Sequence, residues 1–500
     1  MTKENMLDKS AIIIGAGIGG LSCACFLAQQ GIQVTVVEKN EQIGGRASIL
    51  EKDGFKFDMG PSWYLMPDVF ERFFGFFGRK PEDYYELIRL DPHYRIFFKD
   101  QKNVDIVADL EQNKILFEGM ERGAGDALVR YLDNSKMTYE LGMQKFVYKD
   151  RPRLRDYLSL DVLLNAHKIS LVRSMQNHVN NYFSNKKLQQ IVQYTLVFLG
   201  GSPKNTPALY NLMSHVDFNL GVYYPEGGIG RVISSIAKMG EELGVEYKLG
   251  FEVDSIEEEG GLFAVRSKNA EIIEANIVVS NADYGHTEQV LLPEDKRQFD
   301  DKYWKSRTYA PSAFLIYLGI EGEIDPLIHH NLVLPIDWEG HFEEIFTDPA
   351  WPTDPAYYIC APSDTDDSVA PKGHSNLFIL VPISVDVEDE EHMRQKYRDK
   401  ILADIAENVG VDLRNKIVLE EHFSVSDFAR RYNSSKGTAL GLAHTLKQTG
   451  PIRPDNRSRK LKGMYFTGGY TRPGIGVPMC LISGEHTAEA IIKDIKKETK

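Results

Sequence analysis

The chain has 500 residues, 42% of them hydrophobic and 26% charged, with a formal net charge of -14. That length allows two or more domains with large cores, and the acidic balance argues against a nucleic-acid partner. No apolar run approaches the roughly 18 residues of a spanning helix.

The amino-terminal segment MTKENMLDKSAIIIGAG has no signal-peptide core, so a reducing, cytoplasmic setting is expected. Cys23, Cys25, Cys360 and Cys480 form no C-x-x-C pair and lie in apolar surroundings, as buried small hydrophobes do. There is no H-E-x-x-H or G-x-S-x-G pattern, so no metal centre and no hydrolase elbow is predicted.

In chain order, Ala11 to Ile14 predict a short buried strand. Gly15, Gly17 and Gly20 then fit G-x-G-x-x-G, with Gly19 inside the same turn. The first glycine permits the tight turn, the second a close approach of a pyrophosphate, and the third close helix–strand packing. A helix from about Ile18 to Gln30 presents its amino-terminal N–H groups to phosphate, and Gly31 ends it. IQVTVVE is the second strand. It ends at Glu38, whose carboxylate suits two ribose hydroxyls and would repel a 2′-phosphate; Lys39 follows. Gly44 and Gly45 make a second turn from which Arg46 can reach back to a phosphate. Gly60, Pro61 and Ser62 shape a third. Glycine-rich backbone continuing past the ribose acid suits a long, extended FAD better than a nicotinamide cofactor.

Residues 1–90 are thus the first part of a dinucleotide domain. Residues 91–115 alternate like strands, and 120–225 read as amphipathic helix, for example SLDVLLNAHKISLVRSMQNHVNNYF. The segment 91–225 is read as the first, largely helical part of a substrate- or membrane-facing domain. An inserted domain lining an apolar cavity and an ordinary core would both look like this. Residues 226–300 return to the dinucleotide unit: Gly227, Gly228 and Gly230 precede a helix to about Leu243. Strands then lead to Ser280–Asp283, beside the adenosine half of the cofactor. Residues 301–420 supply the sheet of the second domain and a charged amphipathic helix, EEHMRQKYRDKILADIAENVG. Residues 421–500 complete the cofactor domain.

There GMYFTGG is a strand delivering Gly468 and Gly469. TRPGIGVPM is a rigid turn containing Gly476, Val477 and Pro478, and CLISGEHTAEAIIKDI is a helix with Ile482, Ala490 and Ile491 as packing residues. No further strand with a ribose acid follows. Both glycine junctions are therefore expected to serve one cofactor, the second facing its ribityl and isoalloxazine end. Two surfaces could meet a membrane: Phe73, Phe74, Phe76 and Phe77 rimmed by Arg72, Arg79 and Lys80, and the basic stretch IRPDNRSRKLK. A buried helix face and a solvated loop are the alternatives.

Taken together, IIIGAGIGGLSCACFLAQQGIQVTVVEKNEQIGGRASILEKDGFKFDMGPS, YYPEGGIGRVISSIAKMGEELGV, VVSNAD and MYFTGGYTRPGIGVPMCLISGEHTAEAI resemble the bacterial carotenoid desaturases, the phytoene-desaturase-like flavoproteins. The first piece is shared with amine oxidases; the TRPGIGVPM junction is more specific. The resemblance implies an α/β fold, with a Rossmann-type FAD-binding domain and an inserted α+β substrate domain. It implies a desaturase that moves a hydride from a long acyclic or monocyclic carotenoid to flavin N5 and loses a proton. The best-matching subtype is 3,4-desaturation of a 1-hydroxycarotenoid; phytoene or diapophytoene desaturation is the alternative. A flavin amine oxidase and a non-catalytic carotenoid- or lipid-binding flavoprotein are the rivals outside the family. By position Gly15, Gly17, Gly20 and Glu38 match its nucleotide residues. Gly44, Gly45 and Arg46 match its second flavin turn, and Gly468, Gly469, Pro473, Gly474, Gly476, Val477 and Pro478 its isoalloxazine-side segment. Gly469 stands where many related flavoproteins have an acid, and Arg472, where phytoene desaturases have histidine, is the candidate substrate-side residue. The resemblance further implies peripheral attachment to the inner face of the cell membrane and a quinone or oxygen as electron acceptor. It sets no oligomeric state and names no catalytic base.

Overall fold

A computed structural model of the chain describes residues 8–100, 102–151, 173–445 and 447–498. Part of the predicted amphipathic stretch, residues 159–172, lies outside them.

The molecule is organised on two sheets. The first has five parallel strands in the order Met464–Phe466, Ile277–Ser280, Ser10–Ile14, Gln33–Val37 and Glu246–Lys248. The run Ala11–Ile14 is central and buried, which is why it is apolar at every position rather than alternating. Helices Ile18–Gln29, Ile229–Glu242 and Val477–Glu498 share one core with this sheet. A three-stranded antiparallel sheet, Val253–Glu259, Leu262–Ser267 and Ile272–Ala275, leads into the strand Ile277–Ser280.

The second sheet has seven strands: Ile417–Phe423, Ser312–Glu321, His374–Ile383, Tyr357–Cys360, His330–Leu334, Tyr94–Phe98 and Lys102–Ile106, in that order. All pairs are antiparallel except His330–Leu334 with Tyr94–Phe98. The hairpin at 94–106 therefore extends the sheet expected from 301–420, and the segment 91–225 is not purely helical. Alternation along Ser312–Glu321 divides the core. Leu315 and Tyr317 pack with Tyr131, Leu132 and Ile191 of the helical segment. Phe314, Ile316 and Leu318 pack with Ile401, Leu402 and Ile405 of the helix Glu391–Asn408.

The phenylalanine-rich helix Pro67–Phe76 is mostly a packing element. Phe73 and Phe74 are buried, and Phe26 meets Phe73 and Phe76 edge-on at 5.8 and 5.3 Å. Arg72 is bound bidentately by Glu485, and Arg79 pairs with Glu242. Of the four rings only Phe76 is exposed, at 44%, and Phe77 is half-buried, so this helix is mainly a packing face.

Candidate active site

The first glycine junction is shaped by positions that leave no room for a Cβ. Gly15 has φ +98°, and its N–H donates to Val37 O at 2.8 Å. A Cβ on Gly20 would lie 2.3 Å from Gly15 O, so helix and strand touch backbone to backbone. The second turn closes on the first: Gly44 N–H donates to Ala16 O at 2.9 Å. The carboxy-terminal junction closes on it from the other side. A Cβ on Gly19 would lie 2.9 Å from Gly468 Cα, and one on Gly484 would lie 2.7 Å from both Gly19 O and Cys23 N. Asn281 fills the seam. Its Nδ2 donates to Gly15 O at 3.2 Å, and its Oδ1 sits 2.6 Å from the Cβ position of Gly468. The two ends of the chain thus form one continuous cradle. Asn281 belongs to its seam as well as to the strand end where the sequence pattern put it.

Glu38 is buried at the end of its strand. Its Oε2 accepts the Ala16 N–H at 2.8 Å, and its Oε1 accepts the Asn40 N–H and Nδ2 at 2.9 and 2.8 Å. Those bonds fix the carboxylate in the wall of the cavity and leave lone pairs for a ligand. Lys39 lines the same wall, but its ammonium is bound by the Arg430 carbonyl, Asn433 and Glu252. Arg46 donates through Nη2 to Ser434 Oγ and the Thr438 carbonyl, while its buried Nε has no hydrogen-bond partner. No carboxylate is paired with it among the described residues, so one donor is unspent beside the cavity. Gly60 lets the third turn approach: a Cβ there would meet Arg46 O at 2.5 Å. Ser62 Oγ is 2.8 Å from Tyr358 Oη, which is 2.7 Å from His330 Nδ1.

On the opposite wall Gly468 (φ +91°) donates its N–H to Ser483 Oγ at 2.9 Å, and Gly476 (φ +119°) leads into the helix starting at Val477 and Pro478. Beneath this turn lies Arg453, which the sequence pattern placed in a basic surface stretch rather than at the site. Its guanidinium donates to the carbonyls of Gly469, Leu442, Thr471 and Gln448 at 2.6, 2.9, 3.1 and 3.3 Å. Burial lowers its pKa to about 10. Asp283 ties the strand end to the same wall, accepting from Ser435 N, Ser435 Oγ and the Tyr470 hydroxyl.

Arg472, the candidate substrate-side residue, is held by two carboxylates. It borders the cavity, but its Nε donates to Asp150 Oδ1 at 2.9 Å and its Nη2 to Asp455 Oδ1 at 3.0 Å, and it is 7% exposed. Burial alone would lower its pKa, and the two carboxylates outweigh that and raise it. Its charge is spent on joining the turn to two neighbouring segments. One histidine–cysteine cluster, His329, His330 and Cys360, brings potential ligand atoms within 4.8 Å, which their spacing in the chain does not signal. Each histidine Nδ1 is engaged by a hydroxyl, of Thr365 or Tyr358.

The cradle and the apolar side chains beyond it, such as Leu65, Met143, Leu212, Met213 and Leu380, line one continuous cavity of about 750 Å³. The cradle fits FAD in three respects: glycine backbone without obstructing Cβ atoms, a fixed ribose acid in Glu38, and an unspent cationic donor on Arg46.

A parallel sheet with a glycine cradle for an extended dinucleotide, closed by the carboxy-terminal segment and opening into an apolar chamber, defines an FAD-dependent oxidoreductase. Residues 18–492 match the family model described as flavin containing amine oxidoreductase. The chain belongs to that family, and its cofactor is FAD. It is 61% identical to a carotenoid 3,4-desaturase of Haloarcula japonica over 493 residues, covering 98% of this chain and 100% of the relative. It is 34% identical to a zeta-carotene-forming phytoene desaturase of Myxococcus xanthus, covering 96% and 93%. Among solved structures, an oxidoreductase from Methanosarcina mazei superposes with a TM-score of 0.62 at 17% identity, covering 96% of this chain and 100% of that one. A putrescine oxidase bound to putrescine also gives 0.62 at 15% identity, covering 97% and 99%. At such identities these structures speak for the fold alone.

Proposed function

We propose that the protein is a carotenoid desaturase that introduces the 3,4 double bond into an acyclic or monocyclic carotenoid carrying a hydroxyl on C1. The observation that carries this reading is the 61% identity, over essentially the whole chain, to a carotenoid 3,4-desaturase. The apolar chamber continuous with the flavin cradle supports it, since a long polyene has no charge for a polar cage to hold.

The saturated C3–C4 bond loses two hydrogens, one with its bonding pair and one as a proton. Bound FAD supplies the two-electron acceptor for the first. Glu38, Arg46 and the glycine turns would hold the cofactor, while the apolar wall aligns the chain and excludes water. A carbocation flanked by conjugated double bonds is strongly acidic, so a weak base suffices for the proton. We further propose that substrate enters from the inner face of the cell membrane and that a quinone or oxygen reoxidises the flavin. The insolubility of the substrate supports the first. Among the described residues no helix is long and apolar enough to cross a membrane. Of the basic stretch at 452–462, Arg453 is buried and Arg457 is paired with Asp494. Lys462 pairs with Glu498 at 3.1 Å, so Arg459 and Lys460 remain as the exposed cations for lipid contact.

Expression in cells that supply a 1-hydroxycarotene, and separately in cells that supply phytoene, tests the reading. A red-shifted pigment from the hydroxylated precursor alone is expected. Desaturation of phytoene with no change in the hydroxycarotene would overturn it.

A further inference from the structure

We infer that the Tyr210 hydroxyl, oriented by His444, reads the C1 hydroxyl of the substrate and so places the adjacent C3–C4 bond against the flavin-side turn; this rests on the 3,4-desaturation reading. The argument starts from a forced tautomer. His444 Nε2 accepts the backbone N–H of Ile475 at 3.0 Å, and a ring nitrogen that accepts carries no hydrogen. Burial, with Arg453 nearby, holds the imidazole well below its ordinary pKa, so the ring is neutral. Its one hydrogen is therefore on Nδ1, which lies 2.6 Å from Tyr210 Oη. Nδ1–H donates to Tyr210, so the hydrogen of Tyr210 points away from His444, toward the neighbouring Thr449 hydroxyl.

Both residues are buried and both line the cavity, as does Thr449. The Thr449 hydroxyl donates to Thr445 O at 2.8 Å, so its oxygen can still accept. An alcohol at this place would come between the two hydroxyls, accepting from Tyr210 and donating to Thr449. Of the other tyrosines lining the cavity, Tyr358 is flanked by Ser62 and His330, Tyr470 donates to Asp283, and Tyr432 Oη lies 3.5 Å from Ser48 Oγ.

The position suits the chemistry. His444 is bonded to the flavin-side turn through Ile475 and packs into the space left by Gly474, where a Cβ would lie 2.3 Å from its Cε1. In a 1-hydroxycarotenoid three single bonds of roughly 1.5 Å separate the oxygen from C3, under about 4.5 Å in all. A group that binds that oxygen must therefore sit beside the reacting face rather than at the far end of the chamber. Tyr210 does.

Tyr210→Phe removes only the hydroxyl. Purified holoenzyme is assayed on a 1-hydroxycarotene and on its dehydroxylated analogue in liposomes. Binding of the hydroxycarotene is followed separately by quenching of flavin fluorescence, and bound-flavin absorbance controls for folding. For Tyr210→Phe we expect the ratio of kcat/KM values, hydroxylated over plain, to fall about tenfold or more, with weaker binding of the alcohol. Wild type active on the hydroxycarotene, with an unchanged ratio in the variant, would overturn the assignment and leave 3,4-desaturation standing. An equal loss on both substrates would likewise overturn it, as a merely structural role. Wild type inactive on the hydroxycarotene but active on phytoene would remove the underlying reading, and this inference with it.

Discussion

Single residues here are decided by what their charges already hold. Arg472 is the clearest case. In the sequence it is a cation in the most diagnostic turn and invites a substrate role, but Asp150, more than 300 positions away, consumes it. Arg46 is the converse: it sits in an ordinary GGR turn yet keeps an unpartnered Nε beside the cavity. No spacing rule separates the two, because the partners come from remote segments. Asp217 shows the same logic with a titratable group. It is 2% exposed and accepts from Tyr94 Oη at 2.7 Å. Burial raises its pKa from 3.8 to about 7 against the lowering effect of Tyr94 and Tyr194. Between those values the folded state binds the extra proton. Its contribution is thus complete below about pH 4 and is lost as pH rises through 7, on the order of 4 kcal/mol. Asp217→Asn lacks this dependence. Urea midpoints measured at pH 4.5 and 8 should show wild type losing more stability than the variant; parallel losses would contradict the burial effect.

At the scale of elements, the glycine junctions were legible because their requirements are local. A turn needing positive φ at Gly15 or Gly468 writes itself into the sequence at that position. Partners across the fold do not. Asn281 is an ordinary residue after a strand until the sheet places it between Gly17 and Gly468. The hairpin Tyr94–Phe98 and Lys102–Ile106 was visible as alternation, but its sheet could not be named, since its parallel neighbour starts more than 200 residues later. Gly484 joins the two kinds of information. It sits in the middle of the helix Val477–Glu498, where glycine costs helix stability, and is needed because the helix Ile18–Gln29 crosses there at backbone contact. In Gly484→Ala the new Cβ would lie 2.6 Å from Ser22 Cβ and 2.7 Å from Cys23 N. The helices must part, at a cost of about 1–3 kcal/mol. The movement reaches the amino-terminal turn of the first helix, so flavin retention after desalting should fall together with the melting temperature. A variant that melts lower but keeps its full flavin would separate the helix contact from the cradle.

Across the whole molecule, the cradle draws on segments near 15–20, 38–46, 60–62, 281–283 and 468–478, so sites far apart in the chain meet at one ligand. Such a site exists only in the folded chain, and FAD should bind the native state almost exclusively. Linkage then makes the cofactor a stabiliser: at a free concentration one hundred times its Kd, FAD adds about 2.7 kcal/mol to the unfolding free energy. Its effect should also be spread unevenly. The five-stranded sheet and the Val477–Glu498 helix form the cradle, whereas the far face of the seven-stranded sheet packs on the helix Glu391–Asn408 through a separate core. Hydrogen exchange of apoprotein and holoprotein measures this directly. Amides of Ser10–Ile14, Ile277–Ser280 and Met464–Phe466 should gain protection with FAD, and those of Ile401 to Ile405 should change much less. Uniform protection would mean that the two cores open as one unit. Protection confined to the amino-terminal turn would mean that the carboxy-terminal junction is not a wall of the flavin site.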